Sequence, residues 1–274
     1  MPDFVVTGKK GNGKSLSMID LIYRLVNQDR MVATNLDLHL EHLFTPGRKQ
    51  CKIIRVPDLP TSEDLHLLGE GNPTPNEDMN GALILDELAI SMNSRNYQDK
   101  DRQNLINWLV LARKLGWDVY YLVQDISMID KQVREGLAEH VVYCRRLDRV
   151  HVPLIGTLVK FVTGSQMKLP RMHIATVKYG TGQHAPLADR WTYRGDKYFK
   201  AYDTRQKFRA DYPHGSYSYL PPYILTFGSY SQRTGEFYMR LTRIIFRKWS
   251  RVLSFGSGAL ACLVLVAGFF FSQI

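Results

Sequence analysis

Short apolar runs alternate with amphipathic stretches along the first 150 residues. Residues 3–7, DFVVT, have the length of a buried strand and are closed by Gly8. From about residue 14 to 28, Leu16, Ile19, Ile22 and Val26 recur near the helical period, which predicts a helix. Residues 31–34 and 52–56 predict two further strands. Thr61 or Ser62 can cap a short helix whose first turn carries Glu63 and Asp64. Gly, Pro and Asn dominate residues 69–81, so an exposed loop is expected there. ALILD, residues 82–86, reads as a buried strand. Leu105, Trp108, Leu109 and Ala112 stand at i, i+3, i+4 and i+7, predicting a helix over 101–115 that Gly116 stops. DVYYLVQ, 118–124, is another strand, and a short helix over 133–141 runs into a strand at 140–144. Strands that alternate with helices predict an α/β fold with a mostly parallel sheet.

The texture then changes. Residues 151–238 are rich in Gly, Pro and Tyr, with strand-like runs such as MHIATVKY, and predict a β-rich appendage that completes the domain begun by a core over 1–150. Residues 239–251 predict a basic helix lying against anionic headgroups. Residues 252–271, VLSFGSGALACLVLVAGFFF, contain no charge and are long enough to cross about 30 Å of hydrocarbon as one helix. Arg240, Arg243, Arg247, Lys248 and Arg251 precede that span, and only Ser272, Gln273 and Ile274 follow it. The positive-inside rule therefore predicts a single pass with the N-terminal domain cytoplasmic and the C-terminus periplasmic. The first residues, MPDFVVTG, lack the basic and apolar regions of a signal peptide.

Charge and cysteine usage narrow the setting. The formal net charge of +10 favours an anionic partner, nucleic acid or phospholipid. Cys51, Cys144 and Cys262 form no CxxC pair and no zinc-like spacing, which fits a reducing compartment.

Between the first strand and the first helix stand Gly8, Lys9, Lys10, Gly11, Asn12, Gly13, Lys14 and Ser15, a match to G-x-x-x-x-G-K-[ST]. Glycines let the backbone curl so that successive N–H groups point at phosphate oxygens, and the following helix adds its positive end. Lys14 can reach the β- and γ-phosphates, and the Ser15 hydroxyl can ligate Mg2+. The strand at 82–86 ends in Asp86 and Glu87; Asp86 would hold the metal and Glu87 would polarise the attacking water. Gln124 ends the strand at 118–124, where it could sense the γ-phosphate or orient water, or simply be a solvated strand end. The expectation is a P-loop NTPase that uses ATP and Mg2+, with Lys14, Asp86, Glu87 and Gln124 as catalytic residues. The Glu favours an ATPase over a small GTPase, and no guanine-reading NKxD follows. Arg95, Arg113, Arg134, Arg145 and Arg146 are candidates for an arginine acting in trans within a ring.

VTGKKGNGKS at 6–15, ATNLDL at 33–38, LILDELA at 83–89, ARKLGWDVYYLVQD at 112–125 and EHVVYCRRLDR at 139–149 together resemble the gene I assembly proteins of filamentous phages, which group with the zonula-occludens-toxin-like proteins. The likeness extends through KYG at 178–180 and AYDT at 201–204 to the C-terminal span. It implies an inner-membrane ATPase of the bacterial host that powers virion assembly. Phage single-stranded DNA would be coated with major coat protein as it is extruded. Implied partners are a homo-oligomeric ring, the DNA, the coat proteins, the host inner membrane and an outer-membrane secretin. Members usually carry a periplasmic domain beyond the span to meet the secretin. This sequence runs only three residues past Phe271, so either it is truncated or it lacks that domain, and direct secretin contact is in doubt for it as it stands. A DNA-translocating ATPase of the conjugation or partition type, and a membrane effector that binds nucleotide without hydrolysis, are the alternatives. Intact Lys14, Ser15, Asp86 and Glu87 count against the latter.

Overall fold

The computed structural model describes residues 3–87, 100–129, 134, 138–147, 172–182, 184–209, 211–226, 239, 242–244 and 246. Among them, five strands form the parallel centre of a sheet: β1 (Phe4–Thr7), β2 (Val32–Thr34), β3 (Ile53–Arg55), β4 (Gly81–Asp86) and β5 (Trp117–Val123). A sixth, β6 (His140–Arg146), pairs parallel with β1. The late chain extends both ends. Strand β7 (Met172–Tyr179) is antiparallel to β6 and to β8 (Leu187–Arg194), and β9 (Tyr217–Ser218) is antiparallel to β3. The order is β8-β7-β6-β1-β5-β4-β2-β3-β9. All nine strands lie in one compact unit, residues 1–224. The expected appendage thus supplies edge strands to the same sheet.

Both faces of the sheet are covered, which is why β4 and β5 are buried at every position and read as nearly continuous apolar runs, interrupted in β5 by Asp118 and ended in β4 by Asp86. Alternate residues of β4 serve opposite layers. Ala82 and Ile84 pack with α1 (Lys14–Asn27), whereas Leu83 and Leu85 pack with α3 (Ser62–His66) and α4 (Lys100–Leu111). A one-turn helix, α2 (Leu40–Leu43), joins the first layer. Leu105, Trp108, Leu109 and Ala112 all enter the second layer, as their spacing predicts. The last turn of that helix tightens to 3-10 geometry over Ala112–Leu115, and Gly116 ends it in the left-handed region at φ 73. Thr61 is the cap of α3, with Asp64 closing a reciprocal capping box. The loop at 69–81 is exposed over residues 73–79, but Gly71 and Asn80 are buried where they meet Trp117 and Asp118.

A short helix, α5 (Pro222–Leu225), follows β9. Of the predicted helix at 239–251, Met239, Thr242, Arg243, Ile244 and Phe246 are described; all are helical and exposed. No helix among the described residues is long and apolar enough to cross a membrane. The span read over 252–271 lies outside them, as do residues 133 and 135–137 of the helix read over 133–141; in the rest of that stretch Arg134 is helical, Ala138 and Glu139 are not, and His140 and Val141 already belong to β6.

Candidate nucleotide site

Register brings the site together. Thr7 of β1 is level with Val123 of β5, and Leu122 of β5 with Asp86 of β4. The C-terminal ends of three adjacent parallel strands therefore meet, the position where open α/β sheets hold ligands. The phosphate-loop motif leaves β1, Gln124 leaves β5, and Asp86 with Glu87 leaves β4.

Residues 8–13 form the turn into α1. Asn12 N–H donates to Lys9 O (3.1 Å), and Asn12 Nδ2 donates to Cys144 O on β6 (3.2 Å). Gly13 stands at φ 87, and a β-carbon there would come within 2.5 Å of the His173 ring. Tyr193 donates its hydroxyl to Gly13 O (3.1 Å) and stacks on His173 at 5.3 Å. Only glycine fits this point of the loop. Helix α1 begins without a side-chain cap and without an acid in its first turn. Its leading N–H groups and dipole are thus available to an anion.

Ser15 Oγ donates to Asp86 Oδ2 at 2.9 Å, and Lys14 Nζ donates to Gly8 O at 2.8 Å. Asp86 Oδ1 accepts the N–H of Glu87 (2.9 Å). Gln124 Nε2 donates to Glu87 Oε1 (3.2 Å), and Thr7 Oγ1 donates to Gln124 O (3.3 Å). Burial pushes the Asp86 carboxyl above its usual range, and the neighbouring Glu87 charge adds to this; the Ser15 hydrogen bond and Lys14 oppose it. A divalent cation would add to the positive charge that Lys14 brings to this buried carboxylate. A hydroxyl beside a carboxylate is the donor set Mg2+ takes when phosphate and water complete its shell. Among the described residues no group of three or more His, Cys, Asp or Glu side chains forms a protein-only metal cage.

These groups line a cavity of about 690 Å3, within the range of small-molecule sites. Lys10, Gly11, Gly13, Lys14, Ser15, Asp86, Glu87 and Gln124 are on its wall. Of the expected loop residues, Gly8, Lys9 and Asn12 are not: the first and last shape the turn, and Lys9 is exposed. The sequence reading missed the opposite wall. Arg146 and His173, register partners on β6 and β7, line it. So do Phe199, Tyr202, Asp203, Thr204, Gln206 and Phe208, from a strap that follows β8. AYDT at 201–204 marks the strap in the sequence, but nothing local in it points to a cavity. Among the candidate arginines, Arg146 thus belongs to its own chain's site. Arg113 pairs with Glu77 at 3.4 Å on the surface, Arg145 is exposed, and Arg95 lies outside the described residues.

The strap is tied down along its length. Tyr198 donates its hydroxyl to Asp20 Oδ1 (2.9 Å), His39 N–H donates to Ala201 O (2.8 Å), and Asp203 N–H donates to Asp37 O (3.2 Å). Beneath it Arg55, fully buried, pairs with Asp37 at 2.9 Å and Asp58 at 2.6 Å, and also donates to Val56 O.

The model of the family described as Zonular occludens toxin (Zot) matches residues 4–185. The Gene 1 protein of Escherichia phage If1 is 48% identical over 256 residues, 92% of this chain and 72% of that protein. The Gene 1 protein of Enterobacteria phage M13 is 47% identical over 262 residues, 94% of this chain and 75% of that protein. That of Salmonella phage IKe is 46% identical over 94% of this chain and 71% of its own length. Among solved structures, the N-terminal domain of zonular occludens toxin from Neisseria meningitidis superposes on 74% of this chain and 100% of its own, at 16% identity and a TM-score of 0.40, a likeness too slight to carry weight here. On the sequence matches, the chain belongs to the Zonular occludens toxin (Zot) family, with the Gene 1 proteins of filamentous phages.

Proposed function

We propose that this protein is a Mg2+-dependent ATPase that works as an oligomer at the host's inner membrane and drives filamentous-phage assembly, extruding single-stranded DNA with coat protein. The observation that carries the reading is the 2.9 Å contact of Ser15 Oγ with Asp86 Oδ2 beside Lys14 in one cavity. A loop hydroxyl and a strand-end carboxylate, far apart in sequence, converge where a phosphate-bound Mg2+ would take both as ligands. Mg2+ held there would neutralise charge on the transferred phosphoryl group. The loop N–H groups and α1 bind the phosphates. Lys14 exchanges Gly8 O for the β/γ oxygens. Glu87 takes the proton of the attacking water, and Gln124 holds Glu87 and senses the γ-phosphate.

Membership among the Gene 1 proteins supports the assembly role. The basic segment at 239–251 and the apolar run at 252–271 support a single-pass anchor with the ATPase in the cytoplasm. Lys14→Ala should abolish ATP hydrolysis and phage output while leaving membrane insertion intact. Unchanged output or an unchanged hydrolysis rate would overturn the reading. Crosslinking in membranes that captures DNA without coat protein would move the protein to a DNA-translocating role alone.

A further inference from the structure

Asn35 stands one residue beyond β2 and is fully buried. The β2–β4 ladder ends at Thr34 and Ile84, so its backbone can no longer pair with Asp86. The side chain of Asn35 takes over. Its Oδ1 accepts the N–H of Asp86 (2.8 Å), and its Nδ2 donates to the carbonyl of Asp86 (2.9 Å) and to that of Asp58 (2.9 Å). Both backbone polar groups of the carboxylate-bearing residue therefore end on one buried amide, which acts as an extra peptide unit of the sheet.

Asn35 is in turn held from the strap. Gln206 Nε2 donates to Asn35 O (2.7 Å) and reaches Asp58 Oδ1 (3.4 Å), while Gln206 Oε1 accepts the N–H of Asp37 (2.9 Å). Arg209 N–H donates to Asp58 Oδ2 (3.0 Å) just beyond. We propose that Gln206 is a positioning residue for Asp86: through Asn35 it sets the carboxylate's register, so the strap and the metal-binding end of the site move as one. The inference rests on the ATPase reading above. Tyr202 and Thr204, on the same strap, line the cavity. A nucleotide seated there touches the strap and Asp86 together, and Gln206 is the link between them. A glutamine suits this because it must donate and accept in one plane; Glu can accept from Asp37 N–H but cannot donate to Asn35 O.

The test uses the full chain in lipid nanodiscs, with Gln206→Ala, Gln206→Glu and Asn35→Ala. Amide hydrogen exchange of residues 82–87 is followed without nucleotide, against residues 117–123 of β5 as the gauge of global stability. In Gln206→Ala, exchange at 82–87 should quicken relative to β5. The Mg2+ concentration for half-maximal ATP hydrolysis should rise roughly tenfold, the usual cost of losing an outer-shell partner. Gln206→Glu should behave as Gln206→Ala. The double variant Asn35→Ala/Gln206→Ala should be no worse than Asn35→Ala, the mark of one pathway. If the strap alone loosens, with exchange at 82–87 and the Mg2+ requirement unchanged, Gln206 merely anchors a loop and the proposal is wrong. A wild-type chain that hydrolyses no ATP fails the ATPase reading instead, and the exchange comparison still decides the role of Gln206.

Discussion

Glu87 sits in the left-handed region, at φ 55, one residue past β4. A residue with a β-carbon is seldom found there, and its backbone N–H is pinned by Asp86 Oδ1. The turn aims the Glu87 carboxylate at Gln124 instead of along the strand. Glu87→Gln keeps the acceptor oxygen and the shape but removes the base. Turnover should fall roughly 100-fold or more while ATP still binds; steady-state hydrolysis and a nucleotide-binding titration check both halves. Asp3 offers a second test, at the opposite end of β1. Burial raises its carboxyl from 3.8 to about 7, with Asp118 and Glu139 adding repulsion and the Val119 backbone N–H opposing. The folded state thus holds the proton more tightly than the unfolded chain. The stabilisation is complete below the unfolded value and is lost as pH rises through about 7. Asp3→Asn carries no such penalty, so it should gain in Tm relative to wild type between pH 5 and pH 8. An equal Tm difference at both pH values would contradict this.

Among the elements, those read correctly in the sequence are the ones whose pattern is local. The helix face of Leu105, Trp108, Leu109 and Ala112, the stop at Gly116, and the buried runs of β1, β4 and β5 each carry their signal within a few residues. Strand β8 does not. LADRWTYR is exposed at six of its eight positions and is a strand because β7 pairs with it. Strand β9 is two residues long and exists only against Ile54 and Arg55. The site divides the same way: the loop and the acidic strand end were legible, whereas the strap wall and Asn35 depend on contacts between distant segments. Element packing also makes a stability prediction. A β-carbon on Gly71 would lie 2.6 Å from Trp117 Cδ2 and 2.7 Å from Gly116 O, and Trp117 is buried and held by Gly69 O. Gly71→Ala should therefore cost roughly 1–3 kcal/mol in urea unfolding. Gly47→Ala, with no atom within 4 Å of its new methyl, should cost far less.

For the whole molecule, the basic and apolar segments after residue 238 are proposed to hold copies together in a plane, which raises their effective concentration. A fragment of residues 1–238 should then be a poor ATPase when dilute, and its specific activity should rise with protein concentration. Activity independent of dilution would refute an obligate ring. The sheet order adds a constraint of another kind, on synthesis. The central strands leave the ribosome early, but β3 gains its outer neighbour only when residues 217–218 appear, more than half a chain later. Until then a nascent chain carries a bare row of amide and carbonyl groups along β3, open to any other polypeptide that can pair with it. Translation that stops between β8 and β9 releases a chain whose nucleotide loop is already made but whose sheet is unsealed. Such a product should recruit chaperones or clump with its own kind rather than circulate as a smaller working enzyme.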